Sequence, residues 1–308
     1  MGYVAERLLD KPREPVFSHA LSRGPDTRSS PLRLRAPSPC ADRGSFHAYP
    51  SVALVAVLYF LYLAALACVA SVPAGRKVRV LTVSLAAVAG IAAFGMPHIM
   101  PLVFLLVGYW LPALLVRSPH TRLEHWLLGI DHRLFGRDGL KAFDERAPRA
   151  LVEYFELAYL LCYAVVPAGY VWLLAAGFHQ TVDRFWSTVL LAAFFCYGLL
   201  PWLPTRAPRV VEAERAVWRS AVRRLNLAVL SRGSVQWNTF PSGHTAASLA
   251  TALAVGTHVP AAGVVLGVIA VSIGIGSVVG RYHYAADAIA GALVAILAFT
   301  MASAAHAP

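Results

Sequence analysis

Residues 240–244 read FPSGH, and residues 280–287 read GRYHYAAD. The 35 residues between these two motifs, 245–279, are almost all apolar. A helix needs about 17 to 25 residues to cross the hydrocarbon layer of a bilayer, so this stretch is long enough to cross and return. The two motifs, each with one histidine, are therefore expected to meet at one membrane face.

The composition of the whole chain is that of a multi-span membrane protein. Of the 308 residues, 58% are hydrophobic and only 14% are charged, which is too apolar for a soluble domain. The net charge of +11 suits anionic lipid surfaces. No module that reads nucleic-acid bases is visible, so the membrane and not nucleic acid is the expected partner. The oligomeric state stays open.

The chain divides into three parts. Residues 1–49 mix Pro, Arg and Ser without an apolar period and predict a disordered basic tail. Residues 50–150 predict additional membrane helices and an interfacial helix, and residues 151–308 predict the membrane core that carries both motifs.

The hydropathy pattern predicts an all-α bundle of about eight spans. The second and third candidates are short enough to form a re-entrant hairpin instead, so six to eight spans fit the pattern. The arginine-rich composition is typical of a bacterial, GC-rich genome, and we expect a multi-pass protein of the cell membrane. The candidate spans are 51–72, 79–96, 100–116, 153–177, 185–203, 242–258, 260–279 and 284–303.

The polar connection 117–150 predicts an amphipathic helix at the membrane interface, because apolar residues recur there at helical spacing. Three histidines of this connection could suggest a metal, but no carboxylate or thiol completes a site at ligand spacing. We therefore expect no metal. The apolar set is Leu123, Trp126, Leu127, Ile130 and Leu134, the opposite polar set is Arg122, His125, Asp131 and Arg133, and the three histidines are His120, His125 and His132.

The second polar connection, 204–240, is rich in arginine. Residues 215–224 are typical of a basic helix resting on lipid headgroups. Arg206 and Arg209 differ, since they directly follow the end of a span in a segment stiffened by prolines. We expect these two side chains to bind an anion.

The first motif places Ser242, Gly243 and His244 where a polar loop becomes an apolar helix. Amides in the first turn of a helix lack intrahelical partners and can bind an anion. Gly243 would let a phosphate approach the main chain, and the imidazole of His244 can change its protonation state near neutral pH. A serine-capped helix with an incidental histidine explains the same residues, so this motif alone leaves both interpretations open.

The second motif favours the chemical interpretation. His283 and Asp287 are four residues apart and share a helix face, where the carboxylate can accept the ring N–H. Such a partner leaves the other ring nitrogen free to attack. Arg281 adds a charged donor suited to phosphate oxygens, although a polar pair satisfied within the bundle remains the alternative.

At these residues the chain resembles the type 2 phosphatidic acid phosphatase superfamily, which also includes vanadium-dependent haloperoxidases. The resemblance covers roughly residues 150–304. The second part of the family pattern, Pro-Ser-Gly-His, is complete at residues 241–244, and the His and Asp of the third part match at His283 and Asp287.

The chain departs from the family pattern in two places. The family arginine of the third part lies six residues before the histidine, where this chain has Ser277, while Arg281 lies two before. The first part has no lysine near Arg206 or Arg209 and reads Pro-Arg instead of Arg-Pro. Both departures resemble the branch that contains inositol phosphorylceramide synthases, which transfer a headgroup.

The resemblance implies a covalent mechanism without a metal or another cofactor. His283 would attack phosphorus to form a phosphohistidine, Asp287 would hold its ring, and His244 would protonate the leaving oxygen and then activate the acceptor. The resemblance assigns the binding of phosphoryl oxygens to Arg206, Arg209, Arg281, Ser242 and Gly243.

The leading hypothesis is an integral membrane phosphatase acting on a lipid phosphate or diphosphate. A phosphotransferase of the inositol phosphorylceramide synthase type is the alternative with the same intermediate, and a non-catalytic transporter or scaffold is the alternative from another class. The positive-charge bias of the loops favours a cytoplasmic catalytic face, but arginines that bind phosphate would distort that count. The membrane side and the identity of the lipid therefore stay open.

Overall fold

The computed structural model describes residues 49–212 and 220–306. The tail predicted for residues 1–49 lies, apart from Tyr49, outside the described residues. The described part is helical and contains one isolated antiparallel bridge, between Thr205 and Asn238. This confirms the all-α class. The helices are α1 (Pro50–Val69), α2 (Ala74–Phe94), α3 (Met100–Trp110), α4 (Thr121–Phe135), α5 (Gly139–Arg146), α6 (Arg149–Leu160), α7 (Val165–Ala175), α8 (Val182–Gly198), α9 (Pro208–Val211), α10 (Ala221–Gly233), α11 (Gly243–Gly256), α12 (Pro260–Val279) and α13 (Ala285–Ala305).

Four helices, α1, α2, α12 and α13, are long and apolar enough to cross a bilayer. Helices α6 and α7, with the 3₁₀ turn between them, form a fifth crossing if the pair, bent by 65°, is one span. Each of the eight predicted spans contains a helix, but α3 and α11 are shorter than a full crossing requires, and α8 with 17 residues is at the lower limit. The count of about eight spans therefore stays a prediction, and the length criterion supports four or five.

The centre of the bundle is formed by α8 and α11. Helix α11 packs against α8, α12 and α13, and its small side chains, mostly Ala, Ser and Thr, let these neighbours approach closely. At Gly263 of α12 an added Cβ would lie 2.3 Å from the Cα of Gly256. At Gly291 of α13 it would lie 2.4 Å from the carbonyl oxygen of Ser242. Both glycines are therefore required for these helix contacts.

Helix α4 corresponds to the predicted amphipathic helix, but a different face is buried. Trp126 and Leu134 are more than half exposed, whereas Glu124, Leu127 and Asp131 are buried. Asp131, expected on the polar outer face, instead lies against the start of α13, where its Oδ1 accepts the N–H of Ala285 at 3.0 Å. Buried carboxylates on this helix therefore contact the core and not the solvent.

Candidate active site

The two histidines of the motifs lie side by side at one end of the bundle. His244 is in the first turn of α11, and His283 is in the short loop between α12 and α13. Their ring centroids are 5.7 Å apart. The N–H of Ser242 donates to the main-chain oxygen of Asp287 at 3.0 Å, which ties the start of α11 to the first turn of α13. The structure thus brings together residues that are 39 positions apart in the sequence.

Asp287 holds the ring of His283. The Nδ1 atom of His283 lies 3.3 Å from Oδ2 of Asp287, and the same oxygen accepts the N–H of Tyr284 at 3.2 Å. With Nδ1 bound to the carboxylate, Nε2 is the nitrogen available to a substrate. Burial and, after it, the positive charge of Arg209 lower the pKa of His283 to about 3. The ring is therefore neutral at physiological pH, as a nucleophile must be.

A cavity of about 330 Å³ opens in front of both histidines. Its floor is aromatic, and its opposite wall comes from α10 and the segment that follows it. The rings of Tyr109, Tyr159 and Tyr163 surround His244 at centroid distances of 6.2, 5.8 and 6.0 Å. The cavity is thus a partly apolar recess, which lowers the local dielectric around the two imidazoles. Residues that line it include Tyr109, Tyr159, Tyr197, Arg209, Leu230 and Trp237.

Arg209 is the predicted arginine that reaches this cavity. The central carbon of its guanidinium lies 4.4 Å from the centroid of the Tyr282 ring. Its Nη1 is buried and has no hydrogen-bond partner among the described residues. Burial lowers the pKa of Arg209, yet an arginine keeps its charge at physiological pH. The cavity is therefore lined by a cation with a donor that no described protein group satisfies.

Arg206, also expected to bind phosphate, is instead committed to a carboxylate. Its main-chain N–H and its Nε donate to Oε1 of Glu124 at 2.7 and 3.0 Å, and its Nη2 donates to Oε2 at 2.7 Å. Burial would raise the pKa of Glu124, but these three bonds outweigh it and lower the pKa. A buried carboxylate needs such a partner, so the structure does not bring Arg206 to the cavity.

Arg281 is likewise placed outside the cavity. Its Nη2 donates to Oε2 of Glu212, and His132 contacts the other oxygen of the same carboxylate at 2.8 Å. These residues line a separate cavity of about 20 Å³ together with Asp131. Arg281 also has a positive φ of 58°, a conformation that L-residues rarely adopt. It therefore supports the loop that carries His283 and does not face the substrate.

Ser242 and Gly243 shape the start of α11 and do not line the cavity. The Oγ of Ser242 accepts the N–H of Thr245 at 3.4 Å, and the N–H of Gly243 donates to Oγ1 of Thr239 at 3.1 Å. The amides expected to bind phosphate are thus already bonded within the protein. A Cβ at Gly243 would lie 2.4 Å from the Tyr197 ring, so the glycine here makes room for a tyrosine.

Sequence reasoning missed several residues that build the cavity. Tyr159 and Tyr282 stack with ring centroids 4.2 Å apart, and Asn238 donates from Nδ2 to the main-chain oxygen of Tyr282 at 2.6 Å. The sequence offered one signal for Tyr282, its position directly before His283 in the second motif. Tyr159 and Asn238 lie in segments without a motif.

Residues 121–301 match the family model described as the PAP2 superfamily. The match begins at Thr121, and so includes α4 as well as the core expected from about residue 150. No curated protein and no solved structure matches the chain. The family model covers more than half of the chain and contains both histidine motifs and Arg209. The chain therefore belongs to the PAP2 superfamily, the superfamily of the type 2 phosphatidic acid phosphatases.

Proposed function

We propose that this protein is an integral membrane phosphatase that hydrolyses a lipid phosphate or diphosphate through a phosphohistidine on His283. The observation that carries the proposal is the 5.7 Å separation of the rings of His244 and His283 beside a cavity that contains Arg209. One phosphoryl group is small enough to contact both imidazoles at that separation. Apolar helices long enough to span a bilayer favour a lipid as the carrier of the phosphate.

The first step transfers the phosphoryl group to the protein. His244 takes up a proton as the phosphate anion binds beside it. Nε2 of His283 then attacks phosphorus, the bond from phosphorus to the lipid oxygen breaks, and His244 gives its proton to the departing oxygen. Asp287 stabilises the positive charge that forms on the ring of His283. The guanidinium of Arg209 stabilises the charge on the phosphoryl oxygens in the transition state.

The second step releases inorganic phosphate. His244, now neutral, takes a proton from a water molecule, and that water attacks phosphorus while the bond to Nε2 of His283 breaks. The protein returns to its starting state. These steps use side chains of this chain alone.

A headgroup transferase is the second candidate. The cavity, at about 330 Å³, is larger than a phosphoryl group requires, so an alcohol could occupy the place of the attacking water. The chemistry on His283 would be unchanged, and the lipid product would carry the alcohol.

Purified protein in detergent, incubated with lipid phosphates labelled at phosphorus, tests the proposal. We expect free phosphate with and without added inositol or glycerol, and a labelled protein whose label is stable to base and labile to acid, as a phosphohistidine is. A labelled lipid–alcohol product with little free phosphate would identify the transferase instead. Release of phosphate from none of a panel of lipid phosphates and diphosphates would show that the proposed function is wrong.

A further inference from the structure

Glu156 of α6 is a buried carboxylate that connects several elements around the cavity without lining it. It is 2% exposed. Its Oε1 accepts Nε of Arg223 at 2.7 Å, and its Oε2 accepts Nδ2 of Asn226 at 2.8 Å and the hydroxyl of Tyr282 at 2.6 Å. Arg223 and Asn226 belong to α10, which forms a wall of the cavity. One side chain therefore joins α6, α10 and the loop that carries His283.

Tyr282 occupies a fixed place between two other groups. Its ring is parallel to that of Tyr159 within 2°, at a centroid distance of 4.2 Å, and the guanidinium carbon of Arg209 lies 4.4 Å from its centroid. Two groups this close cannot share one face of a ring, so Tyr282 is held between them. The orientation of Arg209 therefore depends on the position of the Tyr282 ring.

The hydrogen bond to Glu156 acts on this contact in two ways. The bond holds the Tyr282 ring in position through its hydroxyl group. It also places the negative charge of Glu156 beside the ring, whose face attracts a cation. Arg209 forms no ion pair with a carboxylate among the described residues, although the charge of Glu156 favours its charged form, and its Nη1 has no hydrogen-bond partner there. The ring of Tyr282 is thus a principal support of this guanidinium.

We propose that Glu156 is a positioning residue for oxyanion binding, acting through the Tyr282 hydroxyl and ring on the guanidinium of Arg209. This inference rests on the proposed function, in which Arg209 binds the oxygens of a phosphoryl group. It concerns a residue that does not touch the substrate, so its effect is expected on oxyanion affinity and not only on the stability of the fold.

Direct binding of orthovanadate, a tetrahedral oxyanion, to the detergent-solubilised protein tests the inference by calorimetry. Glu156→Gln offers one acceptor oxygen to three donors, so at least one donor loses its partner. We expect its dissociation constant for vanadate to rise about tenfold, from the loss of a charged hydrogen bond and a weakened cation–π contact. Tyr282→Phe keeps the ring and loses the hydroxyl, and should raise the constant by about threefold to tenfold.

The double variant separates a positioning role from a general structural one. If Glu156 acts through the Tyr282 hydroxyl, the two substitutions are not additive, and the double variant should bind vanadate within about twofold of Glu156→Gln alone. Glu153→Gln is the matched control, because Glu153 lies on the same helix but contacts Arg149 and Ser220. It should stay within about twofold of the unsubstituted protein.

Several results would overturn the inference. They are unchanged vanadate affinity in Glu156→Gln, multiplicative effects in the double variant, or no vanadate binding by the unsubstituted protein. If Glu156→Gln does not fold, unchanged affinity in Tyr282→Phe overturns it as well. Because binding is measured without turnover, the expected affinity changes in a protein that hydrolyses no lipid phosphate would support the inference and contradict the proposed function. Normal hydrolysis of a lipid phosphate, with unchanged vanadate affinity in Glu156→Gln and Tyr282→Phe, would contradict the inference and support the proposed function.

Discussion

On one side of the loop between α12 and α13, His283 and Tyr282 face the cavity together with Arg209, a cation without a carboxylate partner among the described residues. On the other side, Arg281 is paired with Glu212, and Asp131 binds the first amide of α13. We call these the cavity side and the anchor side. The pair of Arg206 with Glu124 is grouped with the anchor side, because Glu124 is on α4, the helix that also carries Asp131. The arginine on the anchor side is thus in an ion pair within the protein, and this pair helps to hold the loop in place. The guanidinium of Arg209 on the cavity side has no such ion pair among the described residues, which costs stability and leaves it available to a ligand.

Replacement of His283 by Ala should give the largest effect on the cavity side. Loss of the nucleophile is expected to reduce the release of phosphate from a lipid phosphate by about 10⁵-fold. His125→Ala is the control, because His125 is exposed on α4 and its Nδ1 contacts only the main-chain oxygen of Thr121 among the described residues. Residual activity of His283→Ala within tenfold of the control would assign the chemistry to another group.

Asp287→Asn should give the next largest effect on activity. The amide can still contact the His283 ring, but it does not stabilise the positive charge of a phosphohistidine and can favour the wrong tautomer. We expect kcat to fall by about 10³-fold with a smaller change in KM. Steady-state kinetics on a lipid phosphate would measure both. A change confined to KM would show that Asp287 acts on binding and not on the nucleophile.

Arginine substitutions compare the two sides directly. Arg209→Ala should reduce kcat/KM by about 10²-fold, as the loss of an oxyanion donor does, and should leave the melting temperature unchanged or slightly raised. Arg206→Ala leaves the buried carboxylate of Glu124 unpaired, and should lower the stability by about 3 kcal/mol with activity within about tenfold.

Thermal unfolding and phosphate release, measured on the same samples, would check this contrast. Arg281→Ala is the second test on the anchor side, and it should resemble Arg206→Ala. If Arg281→Ala reduced kcat/KM as strongly as Arg209→Ala at unchanged melting temperature, the division into two sides would be wrong.

Asp131→Asn should have the smallest effect on phosphate release, and its effect should be visible in the pH dependence of stability. Burial, and then the charge of Asp287, raise the pKa of Asp131 from 3.8 to about 6. Between these values the folded protein binds more protons than the unfolded chain, so stability falls as the pH rises. Asparagine does not titrate, and the stability of Asp131→Asn relative to the unsubstituted protein should therefore increase by up to about 3 kcal/mol between about pH 4 and pH 7.

Melting temperatures across this pH range would measure the effect. Glu145→Gln, at an exposed carboxyl of α5, is the control and should keep the unsubstituted profile. A profile of Asp131→Asn that is parallel to that of the control would contradict the expected role of the Asp131 carboxyl.

The two histidines of the cavity side were accessible to sequence reasoning because their signals are local. His283 lies four residues before Asp287, although in the loop before α13 and not on the helix, and His244 is in a four-residue motif at the start of an apolar segment. The helices were also predictable, since hydropathy finds each apolar segment. The lengths of the helices were less predictable, because an apolar run such as 185–203 continues past the end of α8 at Gly198.

The anchor side was not predictable for a physical reason. Arg206 and Glu124 are 82 residues apart, and Arg281 and Glu212 are 69 apart. A sequence shows an arginine near a motif but not the distant carboxylate that neutralises it. The same holds for Glu156, whose partners lie on α10 and beside His283. Local spacing therefore pointed to the two histidines that the structure brings together, whereas the ion pairs required the tertiary fold.

The distance between the imidazoles of His244 and His283 depends on Gly291 of α13, which has no side chain. A methyl group at Gly291 would press on the Ser242 carbonyl, and would displace the helix start that carries His244. Gly291→Ala should therefore change the separation of the two imidazoles without altering either histidine. The spacing of the two histidines is thus set by a close contact between α11 and α13 as well as by the residues around the rings.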